Sequence, residues 1–133
     1  MKGSQRSKPQ ILCVDDEPRV LDGLKLTLRR HFDVLAEMLP HAALDLLDRS
    51  PAVVAVISDM RMPAMDGAAF LNQVAQRRPS IACILLTGEA GQDDITGAVG
   101  SPRFRVLSKP CSPARLIATL DELIERRPEE SLS

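Results

Sequence analysis

The chain has 133 residues and a mass of 14.5 kDa, enough for one domain with a real core and little room for a second. A formal net charge of −1 and a pI of about 6.1 argue against a global basic field for nucleic acid or an anionic membrane. Three cysteines (Cys13, Cys83 and Cys111) without a CxxC spacing argue against a disulfide framework or a zinc site, and with 2% aromatics the core must be aliphatic. No apolar run is long enough to cross a bilayer. The basic, polar start MKGSQRSKPQ has no signal-like apolar core behind it, so a reducing, cytoplasmic setting is expected.

Short apolar runs alternate with amphipathic stretches. The first run, Gln10 to Val14, reads as a strand and ends in Asp15, Asp16 and Glu17. Pro18 suits the first turn of a helix, and Val20, Leu21, Leu24 and Leu28 share one face of a helix expected to reach Arg30. Asp33 to Glu37 is a brief second strand, and Pro40 to Arg49 a second helix carrying Leu44 and Leu47. Ala52 to Ile57 is apolar at every position, the mark of a strand buried on both faces; it runs into Ser58 and Asp59. After the loop RMPAMDG, Asp66 caps a third helix over Gly67 to Arg78, with Phe70, Leu71 and Val74 inward.

Ile81 to Leu86 is a fourth, fully apolar strand ending at Thr87. The stretch GEAGQDDITGAVG holds four glycines, each costly in a helix interior, so a short fourth helix of low stability is expected there. Arg103 to Leu107 is the fifth strand, ending in Ser108, Lys109 and Pro110. Ser112 and Pro113 open the last helix, whose stripe is Leu116, Ile117, Leu120, Leu123 and Ile124. Five βα units in a row predict an α/β fold with a doubly wound parallel sheet. The domain is expected over residues 10–127, with a tail over 1–9 and a tail or linker over 128–133.

The polar residues fall where the strands end. Asp15 and Asp16 follow strand one, Asp59 strand three, Thr87 strand four and Lys109 strand five. Ligands of open α/β sheets bind at those carboxyl ends, so the five should converge. Three close carboxylates repel unless a cation joins them, and oxygen ligands suit a hard ion such as Mg²⁺. Lys109 can hold a phosphoryl oxygen, Thr87 can donate to it, and a carboxylate can be the nucleophile that becomes an aspartyl-phosphate. The residues thus point to a Mg²⁺-dependent phosphoryl acceptor site.

The segments ILCVDDEP, VISDMRMPAMDG, ILLTGEA and RVLSKP resemble, in order and spacing, the four signature regions of bacterial two-component response-regulator receivers, the CheY-like family. The resemblance covers about residues 10 to 127. It implies a five-stranded (βα)5, flavodoxin-like sheet in the order 2-1-3-4-5. It implies that Asp59 takes a phosphoryl group from a sensor histidine kinase or a phosphotransfer protein. Asp16 would bind Mg²⁺ (or Mn²⁺) directly, Asp15 mainly through water, with Asp59 and the backbone carbonyl of Arg61 as further ligands. Lys109 would pair with the phosphoryl group, Thr87 would move to bond it, and the Lys109–Pro110 peptide would be cis.

The resemblance also implies that such a domain is not a turnover enzyme by itself, but catalyses its own phosphorylation and slow autodephosphorylation. Output to a target protein or attached domain would run through the face of the fourth helix, fifth strand and fifth helix, through which homodimerisation is expected as well. No direct contact with nucleic acid or membrane is implied. The wording FRVLSKPCSP is similar to receivers joined to HD-type phosphohydrolase outputs, which would make the chain the receiver of a larger enzyme.

Two positions depart from the family pattern. Val106 stands where a switch aromatic usually lies, with Phe104 two residues earlier on the same strand face as a candidate substitute; Cys111 stands where an aromatic often follows the Lys-Pro pair. Arg61 and Glu89, two residues after Asp59 and Thr87, are candidates to pair over the acceptor and slow its hydrolysis. The plainer alternative for them is two solvated side chains.

Asp66-Gly67 reads as turn and cap, Met60, Met62 and Met65 as packing under the loop, His31 and His41 as surface residues, and Cys111 as the exposed cysteine. A pseudo-receiver that binds partners without phosphorylation is the main rival function. A haloacid-dehalogenase-type hydrolase would need a DxD nucleophile after the first strand and a cap domain. A flavodoxin-like cofactor site would need a phosphate-cradling loop and a stacking aromatic.

Overall fold

A computed structural model describes residues 8–88 and 103–125. The apolar runs become five strands: β1 (Gln10–Val14), β2 (Asp33–Glu37), β3 (Val53–Asp59), β4 (Ala82–Thr87) and β5 (Phe104–Ser108). They pair in parallel in the order β2-β1-β3-β4-β5. The described helices are α1 (Pro18–Leu28), α2 (Pro40–Asp48), α3 (Gly67–Arg77) and α4 (Pro113–Glu125). The helix expected after β4 falls mainly on residues outside the described ones, as do Glu89 and both tails apart from residues 8 and 9.

Side-chain alternation divides the strands between two cores. Ile11, Cys13, Ala55, Ile57, Ile84 and Leu107 pack with Leu21 and Leu28 of α1 and with Leu116, Leu120 and Leu123 of α4. Leu12, Val14, Val56, Cys83, Leu85 and Phe104 pack with Leu44 and Leu47 of α2 and with Phe70, Leu71 and Val74 of α3. Helices therefore cover both faces, which is why the central runs carry no polar alternation. Each fully buried leucine or phenylalanine contributes about 1.5–3 kcal/mol of transfer free energy.

The element ends differ slightly from the sequence expectation. α1 stops at Leu28, not Arg30, because the N–H groups of His31 and Phe32 both turn back to the Leu28 carbonyl, at 3.0 and 2.9 Å. That turn puts Phe32 into the core, 2% exposed. β3 runs on to Asp59 because Ser58 and Asp59 still pair with Leu85 and Leu86 of β4. β4 begins at Ala82, because Ile81 remains in the preceding turn, its N–H on the Arg78 carbonyl at 3.0 Å. Asp66 caps α3 by accepting from Ala69 N–H at 2.8 Å, and Ser112 caps α4 by accepting from Arg115 N–H at 3.1 Å.

The foot of the sheet, opposite the strand carboxyl ends, is held by Arg78. Its guanidinium donates to the carbonyls of Leu47 (2.6 Å), Ser50 (2.8 Å) and Val53 (3.0 Å), tying α3 to the α2–β3 turn. Beside it Arg77 pairs with Asp48 at 2.5 Å.

Candidate phosphoryl-acceptor site

Strand order turns at β1, which has β2 on one side and β3 on the other. The crevice beyond the carboxyl ends of β1 and β3 is where such a sheet binds ligands. Asp15 and Asp16 leave β1 there, and Asp59 ends β3. One oxygen from each of these three carboxylates lies within 4.8 Å of the others, a set able to hold a metal ion. Lys109, just past β5, donates from Nζ to Asp59 Oδ1. The structure thus brings together four of the five residues singled out at strand ends by direct contact or proximity. Thr87, the fifth, is 1% exposed and lies one residue beyond Leu86, the register partner of Asp59. Its carbonyl accepts from Lys109 N–H at 2.8 Å, so it also fixes the lysine's backbone.

The electrostatics are crowded. Asp15 is 2% exposed, and its carboxyl is pushed up to about 6, first by burial and also by the charges of Asp59 and Asp16. The Glu17 N–H on its Oδ1 (2.9 Å) and the Lys109 charge act the other way. A carboxyl held above its ordinary range by burial and two acid neighbours is one that a cation would return to the ionised form. All donors are oxygens, so the set fits Mg²⁺ in its chemistry.

The Asp59 carboxylate is also tied to its own loop, since Arg61 N–H donates to Asp59 Oδ2 at 3.2 Å. Arg61 is exposed and, with Asp16, Met60, Met62, Pro63 and Asp66, lines an open groove beside the acids. Met62 is buried, and Met60 and Met65 pack against the core, as expected of residues under this loop.

Two residues matter here in ways that sequence patterns do not pick out. The pattern marks Gly67 only as part of a turn and cap. A Cβ there would lie 2.1 Å from the Asp59 carbonyl oxygen and 2.7 Å from Leu85 Cδ1, so only glycine lets α3 start against the Asp59 backbone. Ser58 is fully buried, and its Oγ donates to the Asp59 carbonyl at 2.9 Å. The available signal is a lone hydroxyl closing an otherwise apolar run, directly before the acid.

The two switch candidates on β5 lie back along the strand from Thr87. Val106 pairs with Leu85 and is partly buried against the core; Phe104 pairs with Cys83 and is 8% exposed. Thr87 is level with Ser108, two residues beyond Val106 and four beyond Phe104, the latter about 13 Å along β5. Cys111 is half-buried against the α1/α4 core rather than exposed, with its Sγ 3.7 Å from the Ser112 carbonyl. Burial pushes the thiols of Cys13 and Cys83 up to about 12, which leaves them inert core groups. The Lys109–Pro110 peptide is cis.

The model of the response regulator receiver domain matches residues 11–121. The chain belongs to the response-regulator receiver family. It is 36% identical over 116 residues to the hydrogenase transcriptional regulatory protein HoxA of Cupriavidus necator, covering 86% of this chain and 24% of that protein. It is 33% identical over 118 residues to the transcriptional regulatory protein GlrR of Escherichia coli, covering 87% of this chain and 26% of that protein. The receiver thus spans about a quarter of these curated relatives. Among solved structures it is similar to the signal receiver domain of an HD domain-containing protein from Pseudomonas fluorescens, with a TM-score of 0.81 at 32% identity over 96% of this chain and 94% of that one. A receiver domain from Clostridium thermocellum gives a TM-score of 0.82 at 27% identity, covering 93% and 98%. Among the described residues of this receiver, no helix is long and apolar enough to cross a membrane.

Proposed function

We propose that this receiver takes a phosphoryl group on Asp59 from a phosphohistidine of a sensor histidine kinase or a phosphotransfer protein. The observation that carries the reading is Lys109 Nζ on Asp59 Oδ1 beside two further carboxylates within 4.8 Å. Asp59 oxygen attacks phosphorus; an O–P bond forms as the P–N bond breaks, and its electron pair leaves on the donor imidazole. Asp15, Asp16, Asp59 and the Arg61 carbonyl would hold Mg²⁺ (or Mn²⁺), which supplies neutralising charge for carboxylate and phosphoryl oxygens. Lys109 exchanges its carboxylate contact for a phosphoryl oxygen, and Thr87 donates to another.

Signalling is assigned to the face formed by the segment after β4, by β5 and by α4, which would bias a target protein or attached output domain by population shift. That face is also where homodimerisation is expected. The likeness to HoxA, GlrR and an HD-protein receiver supports a role as the regulated part of a larger regulator. Arg61 and Glu89 are assigned to shielding the acyl phosphate from water.

The test is intact mass after incubation with acetyl phosphate and Mg²⁺. Wild type should gain one phosphoryl group and Asp59→Asn none. No gain in folded wild type would overturn the reading. One observation favours a second reading, a phosphorylation-independent binding module: Val106 puts an aliphatic side chain at the switch position, and Phe104, two residues further from Thr87, is buried in the core. An unphosphorylated chain that binds its partner as tightly as the phosphorylated one would establish it.

A further inference from the structure

Ser58 has a role that neither the acid cluster nor the lysine accounts for. It is 0% exposed, and an enclosed hydroxyl is costly unless it is bonded. Its Oγ donates to the backbone carbonyl of Asp59 at 2.9 Å. The β1–β3 register ends at Val14↔Ser58, so this carbonyl lies one residue past the paired part of that ladder. The same oxygen is where a Gly67 Cβ would come to 2.1 Å, so hydroxyl and glycine together fix the peptide plane that follows the acceptor.

The next groups along the chain are held in series. Met60 N–H donates to the Leu86 carbonyl at 3.1 Å, and Gly67 N–H donates to the Met60 carbonyl at 2.7 Å. Arg61 N–H returns to Asp59 Oδ2 at 3.2 Å. From the Asp59 carbonyl to the Arg61 amide, each peptide group is tethered. Ser58 is the side chain at the head of that series.

We infer that the Ser58 hydroxyl is a positioning group for the acceptor site, orienting the Asp59 carboxylate and the Arg61 carbonyl toward the divalent cation. The inference rests on the reading of the site given above. Ser58 touches neither metal nor phosphoryl group; it acts through the peptide it bonds. Partners of this outer kind set ligand direction, and their loss weakens metal affinity. A serine that only satisfies itself in the core would change stability and leave metal affinity alone, which separates the two roles.

The experiment is calorimetric titration of Mg²⁺ into wild type, Ser58→Ala, Ser58→Cys and Ser58→Thr, with melting curves of each and Asp16→Asn as the site control. Ser58→Ala and Ser58→Cys should bind Mg²⁺ about tenfold more weakly, and Ser58→Thr, which restores the hydroxyl, should stay close to wild type. The cysteine variant keeps the volume and decides between the two roles where the alanine cavity impairs folding. Wild-type affinity in folded Ser58→Ala or Ser58→Cys would overturn the positioning role, whatever their melting temperatures. Absence of Mg²⁺ binding in wild type would instead overturn the reading of the site on which the inference rests.

Discussion

The two ends of the sheet handle charge in opposite ways. At the foot, the one guanidinium of Arg78 meets three carbonyls, and Arg77 meets Asp48. At the carboxyl end, three carboxylates share one lysine, and Asp15 is held above its ordinary range mainly by burial. Matched charge at the foot serves stability. Crowded charge at the other end opposes it, and is retained where a cation and a phosphoryl group would complete the set.

That contrast can be broken at four places. The largest effect is expected from Gly67→Ala, because its Cβ would overlap the Asp59 backbone rather than a movable side chain. A loss of about 4 kcal/mol or more, read from the urea midpoint, would exceed that of any foot substitution. Arg78→Ala comes next. It orphans three carbonyls and should cost about 2–4 kcal/mol while leaving Mg²⁺ affinity and phosphoryl uptake of the folded protein unchanged. A change in Mg²⁺ affinity there would show that the ends are coupled.

Asp15→Asn should act with the opposite sign. A carboxyl raised from 3.8 to about 6 in the folded chain favours folding while protonated, and that contribution disappears as pH rises through about 6. Without metal at pH 8, Asp15→Asn should therefore be more stable than wild type by about 1–2 kcal/mol, with the gap closing below pH 4. In saturating Mg²⁺ the advantage should shrink or reverse. A metal-free variant no more stable than wild type would remove the idea that the site is strained. Arg77→Ala should do least, below about 1 kcal/mol in thermal melts, because both partners of its bridge are about half exposed.

The fold was legible because its signals are local and repeated. Continuous apolarity in Ala52–Ile57 and Ile81–Leu86, with stripes such as Leu116, Leu120 and Leu123, is enough to tell buried parallel strands from covering helices. The acids, threonine and lysine were legible because each closes a strand, and parallel strands end on one side. Less legible was the reach of β5. Strand periodicity puts Phe104 and Val106 on one face, but only the register shows Phe104 level with Cys83 and remote from Thr87.

By itself the sequence determined the α/β class and which side chains meet at the strand ends, since period, run length and punctuation are properties of neighbours in the chain, and four ordered signature segments carried the family resemblance. The tertiary structure alone decided what depends on atoms meeting across elements. Gly67 is required by the approach of α3 to β3. Arg78 became a clamp through carbonyls that precede it by as much as 31 residues. Asp15 is raised by burial and by the neighbouring acids Asp59 and Asp16, and Ser58 found a carbonyl one residue past the end of the β1–β3 ladder. Contact distance and desolvation arise only once the chain has closed on itself, and these features are set by both.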